Sequence, residues 1–201
     1  MFNWVRRYPR RMYARTVVFF AMALWFLPGE LMSVQDTDSR SKPTASAGDQ
    51  GVRDKIRLAM AAGPPAVASA ARIVDKDDQN KMIVLREGQN GFTCMPPHGD
   101  SSPAMCADAA SLQWFADFDA DKPKPTNPVP GITYMLAGAT QRSDSDPYDK
   151  TSPLIHIGGH WMIMWPFDPM TTGLPTKHKE TGAYIMWGGT PYAHLHIMGR
   201  P

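Results

Sequence analysis

Residues 158–169 read GGHWMIMWPFDP and residues 184–201 read YIMWGGTPYAHLHIMGRP. Aromatic and branched residues crowd into short runs bounded by glycine and proline, which is how strands are written. Strands are expected at 160–165, 184–187 and 194–198. Side chains alternate across a strand, so His160, Met162 and Met164 share one face while Trp161, Ile163 and Trp165 take the other. In the last strand His194, His196 and Met198 lie together, opposite Ala193, Leu195 and Ile197.

Working upstream, residues 132–136 predict another strand, and the four prolines of DADKPKPTNPVPG (119–131) predict an extended surface loop. Residues 107–118 read as a helix, with Leu112, Phe115 and Phe118 recurring on one face. Residues 71–75 and 82–87 flank the polar KDDQNK and predict a hairpin. Apolar residues at Val52, Ile56, Ala59 and Met60 suit an amphipathic helix over 52–62. Gly63-Pro64-Pro65 ends it and opens a second short helix through Ala70. The sum is a single α+β domain over 52–201, with a mainly antiparallel sheet and two or three helices.

Ahead of this domain the chain changes character. Five arginines between Arg6 and Arg15 precede an unbroken apolar run at 17–27, closed by Pro28-Gly29. A basic head, a short apolar stretch and a helix breaker form the layout of a secretory signal, and residues 1–33 are read as that signal or anchor. The run would span about 16 Å as a helix, short of the roughly 20 residues needed to cross a bilayer. No small-x-small triplet follows Leu27 closely, which leaves open a tether to the membrane through 17–27. Residues 34–51, VQDTDSRSKPTASAGDQG, read as a flexible linker. Without residues 1–33 the chain keeps 16 basic and 18 acidic residues, so the net charge of +2 becomes −2. That balance offers no basic patch for nucleic acid. A periplasmic or secreted location is expected.

Export also bears on the cysteines. Cys94 and Cys106 are the only two, separated by MPPHGDSSPAM. In an oxidising compartment so close a pair predicts a disulfide, contributing on the order of 3 kcal/mol by restricting the unfolded chain. The alternatives are a nucleophilic thiol or a thiolate metal site, although the spacing matches no zinc or haem motif.

The His/Met strands carry the chemical suggestion. If their faces converge, His160, His194, His196, Met162, Met164 and Met198 bring imidazole and thioether together, with Met186 able to join. That donor set suits copper, particularly in its monovalent state. His156 adds a candidate four residues before His160, but Gly158-Gly159 argues against a helical two-histidine zinc motif. The competing reading makes methionine an adaptable core filler and the histidines solvated. Asp117, Asp119 and Asp121 fail the calcium-loop pattern at its glycine and glutamate positions and read as a helix end with solvated carboxylates. Asp75, Asp77 and Asp78 read as turn residues. There is no G-x-S-x-G elbow and no phosphate-cradling glycine loop. Trp114, Trp161, Trp165 and Trp187 suit either a core or a ligand groove.

Residues 85–96, LREGQNGFTCMP, together with GGHWMIMWPFDP and YIMWGGTPYAH, resemble a group of small exported bacterial proteins of uncharacterised function. In that group a leader precedes an L-R-E-G-x-N-G-[WF]-T-C-x-P segment, a second cysteine and a closing M-W-x-G-T-P-Y-A-H. The resemblance spans about residues 55–198 and implies no activity. Its pattern directs attention to Cys94, Cys106, His160 and His194, while His156, His178 and His196 lie outside it. Three functions follow as expectations. The first is a non-catalytic exported domain that binds a small ligand or partner, the second a periplasmic copper-binding protein, and the third a hydrolase whose groups meet only in the fold.

Overall fold

In a computed structural model, residues 47–99 and 102–201 are described. The expected signal (1–33), the tether at 17–27 and most of the linker lie outside them. Among the described residues no helix is long and apolar enough to cross a membrane.

The expected hairpin is present: β1 (Arg72–Lys76) pairs antiparallel with β2 (Met82–Arg86). Its turn is organised by Asp77, whose Oδ1 accepts from the amides of Gln79 and Lys81 at 2.9 Å. Beyond β1 follow β3 (Phe92–Met95) and β4 (Met105–Asp108), then β5 (Gly131–Met135), β8 (His160–Met164), β10 (His194–Met198) and, at the far edge, β9 (Ala183–Met186). The sheet order is β2-β1-β3-β4-β5-β8-β10-β9, antiparallel except for the β1/β3 pair. The remaining strands, β6 (Ala139–Gln141) and β7 (Ile155–Ile157), form a separate two-stranded ribbon. The α+β class and the mainly antiparallel sheet are therefore as expected.

Helices pack on both faces. On one, α1 (Ala47–Met60) and α2 (Pro65–Ala68) cover the β1–β4 end. There Ala59, Ala62 and Ala68 close on Ile73, Cys94 and Cys106 in an alanine-rich core. On the other face α3 (Ala109–Asp119) lies over β4, β5 and β8, with Trp114 packed on Met162, Met164 and Tyr192. A fourth helix, α4 (Pro169–Thr172), is one turn capped by Asp168 and ended by Gly173. The expected disulfide joins Cys94 to Cys106, directly opposed on β3 and β4 with Cα atoms 3.9 Å apart.

Several expectations need correction. Helix α1 begins at Ala47, so the last five residues assigned to the linker are helical. Gln50 supports that turn through side-chain bonds with Asp54 (3.3 Å) and Arg53 (3.2 Å) at helical spacing. The cysteines sit on two strands the sequence reading did not anticipate. Pairing with Thr93 and Thr133 holds Ala107 in β4, so the helix starts only at Ala109. Asp108 marks the switch, one carboxylate oxygen capping Ser111 N and the other accepting from Ile132 N, both at 2.8 Å. Gly131 permits this approach, because a Cβ there would lie 2.5 Å from Ser111 N.

Neither Asp117 nor Asp75 is solvated or part of a turn. Asp117 is fully buried and accepts from Gln113 (2.8 Å), Lys122 (2.6 Å) and both the amide and hydroxyl of Thr126, which pins the proline-rich loop to α3. Asp75 is buried on β1, where Lys55 Nζ reaches it at 2.6 Å and His98 Nε2 makes a second, short contact.

Candidate functional site

The registry of β5, β8, β10 and β9 builds the site. Met162 faces His196 across β8/β10 and Thr133 across β5/β8, while Tyr184 flanks His196 on β9. In the next rows His160 lies between Met135 and Met198, and His194 faces Met186. Opposed residues in an antiparallel pair share a face, so the histidines and methionines of the two expected strands do point the same way. This face is internal. It lies beneath α3 and beside the segment that includes β6 and β7, and it encloses a cavity of about 300 Å³.

Three imidazoles form the cavity floor: His160, His194 and His196, each no more than 3 % exposed. The rings of His160 and His196 stack at 4.8 Å, and those of His194 and His196 are 4.9 Å apart. His160 Nδ1 lies 2.8 Å from Gly158 O and His194 Nδ1 lies 2.9 Å from Tyr192 O. A carbonyl only accepts, so both Nδ1 atoms carry the proton and both Nε2 atoms keep a lone pair. His196 Nε2 sits 3.0 Å from His194 Nε2 and must donate to it, which leaves His196 Nδ1 to accept from the Tyr184 hydroxyl at 3.0 Å. The result is an ordered relay from Tyr184 through His196 and His194 to Tyr192 O. His160 Nε2 stands outside it, buried and without a hydrogen-bond partner.

Charge is excluded from this floor. Burial is the main cause for all three rings: it pushes His194 down to about 4, lowers His160, and drives His196 well below its ordinary value, where His194 and His160 also oppose a second proton. All three are neutral at pH 7. Burial, then the nearby Asp144 carboxylate, raises Tyr184, which stays a phenol.

Aromatic rings make the wall. Trp114, Phe118 and Trp187 lie nearly parallel, with centroids 5.2–6.1 Å apart and interplanar angles of 12–17°. Trp114 and Trp187 also meet His194 edge-on at 5.0 Å. Trp187 holds this place at φ 54, a left-handed backbone that is costly for a bulky residue and tends to mark functional sites. Its indole donates to Ser143 O at 3.0 Å and its amide to Asp144 O at 2.7 Å, which fastens the β6–β7 segment at the cavity mouth. Arg142, Asp146 and Asp149 form the polar rim. The Ser152 side chain, then the amides of Ser152 and Thr151 at 2.9 Å, donate to Asp149 and keep its carboxyl low.

Of the residues singled out in the sequence, His160, His194, His196 and Met162 line the cavity, and Met186 joins them. Met164 is on the correct face but fully buried under Trp114, and Met198 is half-buried beside His160; neither lines the cavity. His156 is exposed on β7, and His178 packs edge-on to Tyr184 at 5.7 Å outside the lining. Among the described residues, no three His, Cys, Asp or Glu side chains are arranged to hold a metal ion. The sequence reading missed Tyr184, although it precedes Met186 by two residues and so shares its face. Comparison with protein-family models, with curated proteins and with solved structures returned no match.

Proposed function

We propose that this chain is an exported, non-catalytic binding domain whose cavity takes a small ligand that accepts electron pairs, either a hydrogen-bond donor or a cation. One observation carries the reading: His160 lines the cavity, and its Nε2 is a buried lone pair without a hydrogen-bond partner. Leaving such an atom unpaired costs about 1–3 kcal/mol, and native proteins keep few of them. A ligand that fills the cavity and meets this nitrogen removes the cost. The volume lies at the lower end for small-molecule sites, and the aromatic wall with few converging polar groups matches their usual make-up.

The hydrolase reading finds less support. The cavity imidazoles are oriented by two carbonyls and a phenol rather than by a carboxylate. The described His–carboxylate contact, His98 with Asp75, lies away from the cavity lining and is shared with Lys55.

Thermal unfolding of the full-length protein tests the reading with phenol, indole, and cuprous and zinc salts as probes. A ligand at about a hundred times its Kd stabilises by about 2.7 kcal/mol, or roughly 5–10 °C for a domain of this size. At least one probe is expected to give such a shift, and Ala139→Phe, which projects into the cavity, to remove it. No shift with any probe contradicts the proposal.

A further inference from the structure

We propose that the ligand of this cavity is a monovalent copper ion, held by Nε2 of His194 and His196 and completed from the thioethers of Met162 and Met186. The inference rests on the binding reading above and names the chemistry of that site.

Three observations converge on it. First, both imidazoles have the far nitrogen engaged, His194 Nδ1 by Tyr192 O and His196 Nδ1 by the Tyr184 hydroxyl, so that their Nε2 atoms meet. Holding the far nitrogen in this way fixes the ring and raises its basicity as a ligand. Second, the two Nε2 atoms 3.0 Å apart subtend about 100° at an ion about 2.0 Å from each, a normal angle between ligands. Third, the remaining donors are soft and the floor is uncharged. Met162 and Met186 lie directly opposite His196 and His194, and the hydrogen-bond partners of the imidazoles are carbonyls, a phenol and one another.

Softness and charge together select the metal. Thioether with imidazole favours cuprous copper over zinc, magnesium or calcium. Burying an ion without a counter-charge costs steeply more for a divalent than for a monovalent one. The nearby carboxylates are not available as ligands: Asp144 accepts from Gln141 and the His178 amide, and Asp146 and Asp149 accept from the backbone amides of their own turns.

Binding releases no net proton. The His196 proton, on Nε2 in the empty relay, moves to Nδ1 and is donated to Tyr184 Oη. The Tyr184 hydroxyl then turns to Gln141, whose side chain already interacts with this phenol and whose Oε1 is buried without a partner.

The test is anaerobic titration of the full-length, metal-free protein with cuprous ion against a chromogenic chelator, followed by desalting and metal analysis. One copper per chain is expected to remain. Met162→Leu with Met186→Leu conserves volume and is expected to fold normally. That double variant and His194→Gln should each weaken cuprous affinity by at least about tenfold, while His156→Ala leaves it unchanged. Retention below a tenth of an equivalent by folded wild-type protein overturns the proposal. So does tighter binding of zinc than of cuprous ion, or unchanged affinity in both the thioether and His194 variants. If copper fails while phenol or indole still raises the unfolding temperature, the copper assignment falls and the cavity reading stands; if none of them binds, both fall.

Discussion

On the α1 side of the sheet the buried carboxylate of Asp75 is met by Lys55, by His98 and by the Lys76 amide at 2.8 Å. On the α3 side three buried imidazoles are left neutral, chained to one another and to backbone carbonyls, with one nitrogen unpartnered. The first region is an alanine-packed layer locked by a disulfide; the second is an aromatic and methionine layer that leaves a cavity. Polar groups on the α1 side are satisfied within the protein, so they hold the fold together. On the α3 side Asp117 is likewise satisfied, but His160 Nε2 meets no partner in the protein, and that contrast separates the scaffold from the proposed binding site.

Acidification should separate the two sides most strongly. A histidine whose folded pKa is depressed below its unfolded value near 6.5 binds its proton preferentially in the unfolded chain. Stability is therefore lost as pH falls below 6.5 and stops falling once the folded pKa is passed. With His194 at about 4, that ring alone accounts for roughly 3 kcal/mol, and His160 and His196 add to it. Asp75 behaves differently: burial opposes its charge, but the bonds from Lys55 and His98 outweigh this and lower its pKa. Its contribution is present above pH 3.8 and lost only below it. Urea unfolding from pH 7 to 3 should show the main decline between 6.5 and 4, flattened in His194→Leu. A flat profile in that window would erase the contrast.

Replacing both cysteines with alanine should cost about 3 kcal/mol, the entropy of closing a short loop, measured as a fall in the urea midpoint. Copper retention should be unaffected, because the bridge lies on the other face. Gly131→Ala should cost about 1–3 kcal/mol by forcing α3 away from β5. Unlike the disulfide change, it should also weaken copper binding, because α3 carries Trp114 and Phe118 of the cavity wall. The smallest effect is expected for His160→Met. It removes a buried unpaired nitrogen and so should change stability by less than about 1 kcal/mol, while the pH-dependent decline shrinks. A large destabilisation there would mean that His160 serves the fold.

The sheet was legible where period-two alternation was undisturbed. The final strand, His194–Met198, falls where its pattern places it, and β8 differs only at its last residue. The shared His/Met face was also readable, but its enclosure was not. Alternation assigns side chains to faces without saying which face a helix covers. Strands β3 and β4 were hidden because they border a proline-rich loop, and only pairing with β1 and β5 makes them strands. Asp75 looked like a turn residue and Asp117 like a solvated carboxylate because their partners Lys55, His98 and Lys122 come from other segments. Tyr184 reads as a core aromatic until the β9/β10 register sets it beside His196.

The central claim is that this floor presents bare imidazole nitrogens at neutral pH. Side-chain nitrogen NMR of the metal-free protein at pH 7 tests it most directly. The account predicts three neutral rings, with His160 and His194 protonated on Nδ1 and unprotonated on Nε2. An imidazolium at either position, or a proton on His160 Nε2, would contradict it.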